Sequence, residues 1–193
     1  MVRGDLAWPG LHQCAALETA TVVVETIWSE MTSASEIIEC IRDSLTAITV
    51  PRYFQTERGF QGELLVQLSR RLHLLDPEIV EQEYQKRQRD HGLTVRPDII
   101  IHEPFDSARH GARAEGNRAV VELKVNATAA EAAEDFETLA AMIQVLRYPL
   151  GVFVNIASTV THANLVPMAV RGRVVAFAVA LQDGKPRVIE ERT

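Results

Sequence analysis

Apolar residues along the first 75 positions recur at spacings of three and four, the period of a helix with one buried face. Residues 12–48 predict one or two helices, and Ser33 or Ser35 is available as an N-cap. Residues 56–75 predict a further amphipathic helix. Glu63 falls on the inward half of this second helix, where a carboxylate is unusual.

After the second helix the pattern changes to short runs rich in β-branched residues, which is typical of strands. Three such runs, at 79–87, 94–102 and 119–125, predict consecutive strands, although the first alternates only weakly. Residues 128–146 then predict a helix, because a threonine followed three positions later by glutamate forms a capping box. Residues 151–156 predict a further, buried strand.

Residues 173–190 carry the turn residues and flanking apolar runs of a β-hairpin. The whole pattern predicts an α/β fold with a mixed central sheet flanked by helices. We divide the chain into an N-terminal helical extension (1–51), a core with the order helix, three strands, helix, strand (52–160) and a C-terminal hairpin packed on that core (161–193). These parts are expected to form one compact domain.

Composition is that of a folded globular protein, with 47% hydrophobic and 24% charged residues among 193. No apolar stretch approaches the roughly 18 residues needed to span a membrane, so we expect no membrane association. The start of the chain also lacks the apolar region of a signal peptide. Cys14 and Cys40 form neither a disulfide framework nor a zinc motif, which favours a reducing cytoplasm.

The formal net charge of −6 argues against a protein that binds nucleic acid over its entire surface. The acidity is concentrated at the N-terminus, since residues 1–51 contain only two basic residues, Arg3 and Arg42. The rest of the chain contains nearly equal numbers of acidic and basic residues. Binding of nucleic acid over a limited area therefore remains compatible with the composition.

Charged residues within two of the predicted strands are the strongest chemical signal. Glu122 and Lys124 are two positions apart in an otherwise apolar strand, so their side chains leave the same face. Asp98 lies in the preceding strand, and antiparallel pairing would bring its carboxylate close to Glu122. Two converging carboxylates favour Mg²⁺ or Mn²⁺, and the lysine can orient or deprotonate a water or stabilise charge on phosphorus. The simpler alternative is a surface ion pair on an edge strand beside a turn-capping aspartate.

The Pro97-Asp98 and Glu122-Leu123-Lys124 elements resemble the PD-(D/E)XK motif of restriction-endonuclease-like nucleases. The resemblance covers about half of the chain. It implies a restriction-endonuclease-like αβββαβ core and a magnesium-dependent nuclease with Asp98, Glu122 and Lys124 as catalytic residues. In many members the first helix supplies another carboxylate, and Glu63 occupies the matching place.

Auxiliary site residues are weaker candidates. Glu83 and Tyr84 could extend the site, but a strand with one wet face explains them equally well. Gln144 and Tyr148 reproduce a Q-x-x-x-Y spacing found in the branch of the family that includes recombination exonucleases, although this spacing is common in helices. Basic residues that could contact phosphate, or could simply be solvated, are Lys86, Arg87, Arg89, Arg109, Arg113 and Arg118.

The resulting function hypothesis is a metal-dependent nuclease that acts on DNA in preference to RNA, with a homodimer expected if both strands of a duplex are cut. One alternative is an inactive nuclease-fold module that serves as a protein-binding or scaffold component. Another is a sugar- or nucleotide-handling hydrolase with Asp98 and Glu122 as an acid/base pair.

His102 is expected to end a strand near the surface, and the histidines form no metal-binding pair.

Overall fold

The computed structural model of the protein describes residues 33–72, 78–82, 93–94, 96–112 and 114–193. Within these residues the helices are α1 (Ala34–Ala47), α2 (Glu57–Arg71) and α3 (Ala129–Val145). Each helix begins after an N-cap residue whose hydroxyl oxygen accepts a hydrogen bond from a backbone N–H of the first turn; these residues are Ser33, Thr56 and Thr128 respectively. None of these helices is both long enough and apolar enough to cross a membrane.

Six strands of the described chain form a single mixed sheet in sequential order. They are β1 (Ile79–Gln82), β2 (Ile99–His102), β3 (Asn117–Val125), β4 (Leu150–Ile156), β5 (Val174–Gln182) and β6 (Lys185–Arg192). The β3/β4 and β4/β5 pairs are parallel, and the other three neighbouring pairs are antiparallel. Strands β3, β4 and β5 occupy the centre, which explains their largely apolar sequences.

Helices cover the sheet on both faces. On one face, Ile41 of α1 and Leu64 of α2 share an apolar cluster with Val121 of β3. On the other face, Phe136 of α3 packs against Phe153 of β4 with ring centroids 4.9 Å apart. The predicted α/β class and mixed central sheet are therefore confirmed.

The boundaries of two predicted strands change. The strand expected over 94–102 begins only at Ile99, because Pro97 has no N–H to donate to the ladder. Of the strand expected over 79–87, Ile79–Gln82 is observed, and residues 83–87 lie outside the described residues.

The C-terminal hairpin is part of the sheet itself. Strand β5 pairs with β4, and β6 then pairs with β5, so the hairpin extends the sheet. Helix α1, expected as part of an extension, buries Ile37, Ile41 and Leu45 in the same core. One compact unit accordingly covers Thr32–Thr193.

His102 ends β2 as predicted, but the expectation that it lies near the surface is wrong. Its side chain is buried, and its Nε2 lies 2.8 Å from a carboxylate oxygen of Glu81. Strand β1 pairs along β2 with Ile79 opposite His102, so the end of β2 is covered.

Candidate active site

Asp98 and Glu122 meet at the end of the β2/β3 pair. The antiparallel register places Ile99 opposite Val121, so the next residues outward, Asp98 and Glu122, are neighbours across the two strands. The backbone N–H of Leu123 donates a 2.7 Å hydrogen bond to Asp98 Oδ2. Each of the two carboxyl side chains also shifts the pKa of the other, so they lie close together. The cross-strand approach required by the sequence hypothesis is therefore present.

Lys124 lies on the same face of β3 as Glu122, because strand side chains alternate. Leu123, between them, belongs to the apolar cluster that α1 and α2 cover on the opposite face. The Lys124 side chain is half-buried, and its Nζ lies 3.7 Å from Glu57 Oε2 in the first turn of α2. The site consequently lies on the α3 side of the sheet, with Glu57 at its margin.

Two buried amides hold the strands and helices that carry these groups. Gln61 of α2 donates a 2.6 Å hydrogen bond from Nε2 to the backbone carbonyl of Asp98. Asn155 of β4 accepts from the N–H of Ala127 at 2.9 Å and donates to the carbonyl of Val160, also at 2.9 Å. The position of Asp98 and the start of α3 are therefore each tied to a neighbouring element.

The carboxyl pair is arranged to keep a proton. Burial raises the pKa of Asp98 to about 6, and repulsion from Glu57 adds to that effect, while the Leu123 N–H opposes it. Burial also raises the pKa of Glu122 well above its usual value, and the charges of Asp98 and Asp135 act in the same direction. The interaction between the two side chains raises the pKa of Glu122 and lowers that of Asp98, which favours one proton shared by the pair.

Lys124 remains a cation. Burial alone would lower its pKa, but the carboxylates of Asp135, Glu57 and Asp98 reverse that effect, and the net shift is upward. An ammonium group with a raised pKa is a poor proton acceptor at neutral pH and a good electrostatic partner for a phosphate.

Sequence analysis missed two carboxylates of this site, Glu57 and Asp135. Asp135 lies on α3 beside the buried Phe136, and burial raises its pKa to about 6, against the opposing charge of Lys124. Its Oδ2 atom is buried and has no hydrogen-bond partner among the described residues. An aspartate next to the apolar face of α3 was the available signal for Asp135. Glu57 resembled an ordinary first-turn glutamate.

Glu63, the predicted helix carboxylate, does not join the cluster. Its Oε1 accepts a 2.5 Å hydrogen bond from Gln67 Nε2, one turn further along α2. It follows Glu57 by six positions, which is a rotation of about 240° around a helix. Glu63 therefore faces away from the side of α2 that reaches Lys124.

Arg118 was expected to contact phosphate, and the structure corrects this expectation. The side chain is buried, its guanidinium bonds to the Glu78 carboxylate, and it donates to the carbonyl of Glu115 at 3.2 Å. It lies near the opposite end of β3 from Lys124. Arg109 is exposed and pairs with Glu103 at 2.9 Å.

The predicted Gln144 and Tyr148 pair is separated from the site. Tyr148 is fully buried in the apolar cluster beneath α3, whereas Gln144 is exposed near the end of that helix. Glu131, whose charge acts on Lys124, precedes Gln144 by 13 residues, or about 20 Å of helix. The remaining predicted site residues lie outside the described residues: Glu83, Tyr84, Lys86, Arg87, Arg89 and Arg113.

The donor chemistry of the site suits a hard divalent cation, because Asp98, Glu122 and Asp135 offer only carboxylate oxygens. As their side chains stand, the described residues contain no group of three acidic, histidine or cysteine side chains placed to hold a metal ion. The unpartnered Oδ2 of Asp135 is a further oxygen donor that faces no competing hydrogen bond from the described residues.

No protein-family model matches the chain, and no curated protein matches its sequence. Among solved structures, the chain is similar to SfsA of Pyrococcus furiosus, whose structure was determined in complex with Ca²⁺. The two are 14% identical with a TM-score of 0.37, and the match covers 69% of this chain and 62% of SfsA. The chemistry of the site is therefore inferred from its own residues.

Proposed function

We propose that the protein is a metal-dependent nuclease that hydrolyses phosphodiester bonds at Asp98, Glu122 and Lys124. The observation that carries this proposal is the meeting of Asp98 and Glu122 across β2 and β3, with Lys124 on the same face of the sheet. Two hard carboxylates and a retained ammonium group are the parts that phosphodiester hydrolysis requires.

The element order supports a restriction-endonuclease-like core for this proposal. Helix α2 is followed by β1, β2 and β3, then by α3 and β4, and the PD and ExK elements lie at β2 and β3. This is the αβββαβ order that the motif resemblance implies. DNA is favoured over RNA on the same resemblance.

Asp98 and Glu122 would hold a Mg²⁺ or Mn²⁺ ion, which would supply a Lewis acid and a water of lowered pKa. Glu122 has to lose its proton to solvent for this purpose, and the Gln61 bond keeps the Asp98 backbone in place. Lys124 stays protonated, so its role is to orient the phosphate and stabilise negative charge that develops on its oxygens. The raised pKa of Lys124 favours this role over that of a general base at neutral pH.

The test is cleavage of supercoiled, linear and single-stranded DNA and of RNA with Mg²⁺ or Mn²⁺, compared with EDTA. Lys124→Ala is expected to reduce cleavage about 100-fold or more, on the scale of one lost charge-stabilising donor. Lys185→Ala is the matched control, because it removes a lysine from the exposed turn side of β6. Equal activity of the Lys124→Ala and Lys185→Ala variants would contradict the proposal.

A protein-binding or scaffold module is the second proposed function, and one observation favours it. Asp98 accepts a hydrogen bond from the Leu123 N–H, and Lys124 pairs with Glu57, so both of these charged groups already have partners within the chain. In that case the wild type would be inert on every nucleic acid, and Mg²⁺ would leave its melting temperature unchanged.

The geometry disfavours the hydrolase that would use Asp98 and Glu122 as an acid/base pair on a sugar. Glycosidases place their two carboxyl groups at least about 5 Å apart, so that the substrate fits between them. Here Asp98 and Glu122 are direct neighbours across paired strands and shift each other's pKa, so little room for a sugar is left between them.

A further inference from the structure

We propose that the outer edge of β6 pairs antiparallel with β6 of a second copy of the chain, so that two sheets join across a two-fold axis. The axis passes through Ile189, near the middle of the strand. This contact is independent of the proposed nuclease site, because two strands separate β6 from β3 in the sheet.

Strand β6 is long and regular for the last strand of a sheet. Its eight residues pair with β5 without a bulge, and β5 is its one partner among the described strands. Asp183 and Gly184 both have positive φ and form a two-residue turn. Such a turn makes its flanking residues, Gln182 and Lys185, a hydrogen-bonded pair.

This pairing fixes which backbone groups of β6 face outward. Hydrogen-bonded pairs alternate along an antiparallel ladder, so every second residue after Lys185 directs its N–H and C=O away from β5. The outward residues are Pro186, Val188, Glu190 and Arg192. Pro186 fits this arrangement, because it has no outward N–H to leave unpaired. The remaining groups are a template for another strand.

The charges along β6 are self-complementary when the axis passes through Ile189. Val188 and Glu190 of the partner then exchange backbone hydrogen bonds on both sides of the axis. Arg187 lies directly opposite Glu191 of the partner, and Ile189 lies opposite its own copy. These are the close, non-hydrogen-bonded pairs, in which opposite charges and apolar side chains stabilise the ladder.

The neighbouring registers are less favourable. An axis at Val188 places Arg187 opposite Ile189, and it moves the missing N–H of Pro186 closer to the axis. An axis at Glu190 places two copies of that glutamate opposite each other, which is repulsive.

Arg187 and Glu191 are available for this contact, since both are exposed. They lie on the face of β6 opposite α1, because Val188, on the other face, packs against the cluster that α1 helps to form. Arg187 donates a 3.3 Å hydrogen bond to Gln182 Oε1, and Glu191 Oε2 accepts one of 2.5 Å from Thr161. Both charged groups are therefore held at the surface beside the edge.

The first measurement is sedimentation equilibrium over a range of protein concentrations. Wild type is expected to form a dimer, and Arg187→Glu to raise its dissociation constant about 10-fold, because two attractive pairs become repulsive. The exchange Arg187→Glu/Glu191→Arg should restore dimerisation. Arg52→Glu is the matched control, since it reverses an exposed charge in the short helix before α2, and it should change the constant less than about twofold.

The second measurement is disulfide cross-linking in a chain with Cys14→Ser and Cys40→Ser, which stays informative if a charge variant fails to fold. The two copies of residue 189 would have Cα atoms about 4.5 Å apart, so Ile189→Cys is expected to form a covalent dimer. The two copies of residue 187 would be roughly 13 Å apart, so Arg187→Cys should not. Wild type that remains a monomer at every concentration would overturn the contact. Cross-linking of Arg187→Cys as readily as Ile189→Cys would overturn the register.

Discussion

Asp98 lowers the stability of the fold at neutral to basic pH, because its carboxyl group is buried. Its folded-state pKa of about 6 exceeds the ordinary value of 3.8, mainly because burial disfavours the charged form. A group with a raised folded pKa stabilises the fold fully below its unfolded pKa, and that contribution disappears as pH rises through the folded value. Near pH 8, without metal, the ionised Asp98 therefore opposes folding.

Asp98→Asn is accordingly expected to raise the melting temperature at pH 8 in EDTA by about 2–4 °C, or about 1 kcal/mol in a chain of this size. Near pH 3 the difference from wild type should nearly vanish, because Asp98 is then protonated in both the folded and the unfolded chain. Circular dichroism melts at the two pH values provide the measurement. Asp43→Asn on the exposed side of α1 is the control, with no comparable gain at pH 8. A destabilised Asp98→Asn at pH 8 would show that the charge is favourable in the fold.

At the scale of elements, α3 and α1 begin in the same way but lie beside different parts of the sheet. Both helices begin with a capping box, at Thr128 with Glu131 and at Ser33 with Glu36. The start of α3 follows β3, which carries Lys124, after only a few residues, and the charge of Glu131 acts on Lys124. Helix α1 instead covers the opposite face of the sheet.

Thr128→Ala and Ser33→Ala should each lower the melting temperature by about 2–4 °C, since loss of an N-cap costs about 1 kcal/mol. Only Thr128→Ala is expected to reduce cleavage as well, because it loosens the helix next to Lys124. The measurement is the cleavage rate of each variant well below its melting temperature. Equal rates for the two variants would mean that the α3 cap has no bearing on the site.

At the scale of the whole molecule, Arg118 joins segments that are distant in the chain. Its guanidinium bonds to Glu78, just before β1, and lies 3.9 Å from Glu103, which follows β2. The ion pair with Glu78 is buried on both sides. Removal of one partner of a buried pair leaves the other charge in a poorly solvated place.

Arg118→Met is therefore expected to lower the free energy of unfolding by about 3–5 kcal/mol. The exposed Arg109→Met should cost less than about 1 kcal/mol. Urea unfolding followed by circular dichroism measures both. Cleavage by the folded fraction of Arg118→Met should match wild type, because Arg118 is remote from Lys124. A stable Arg118→Met variant with weakened nucleic-acid binding would restore the phosphate-contact hypothesis.

A homodimer remains a prediction at this scale. Analytical ultracentrifugation with and without duplex DNA tests it, and a monomer under both conditions would contradict it.

Local sequence patterns were sufficient to predict the helix periods, the order of helices and strands along the chain, and the motif positions. The capping boxes, the approach of Asp98 to Glu122 and the shared face of Glu122 and Lys124 follow from local spacing. Such features depend on residues within a few positions or on one strand pairing, and side-chain alternation then leaves little freedom.

Which further side chains reach the site depends on how the elements pack against one another. The rotation and position of α2 bring Glu57, and not Glu63, to Lys124, and the packing of α3 brings Asp135. Burial of Arg118 and His102 likewise depends on β1 and its flanking residues, which are far away in the sequence. These contacts join elements whose relative placement results from packing of the whole core, and no local pattern encodes that placement.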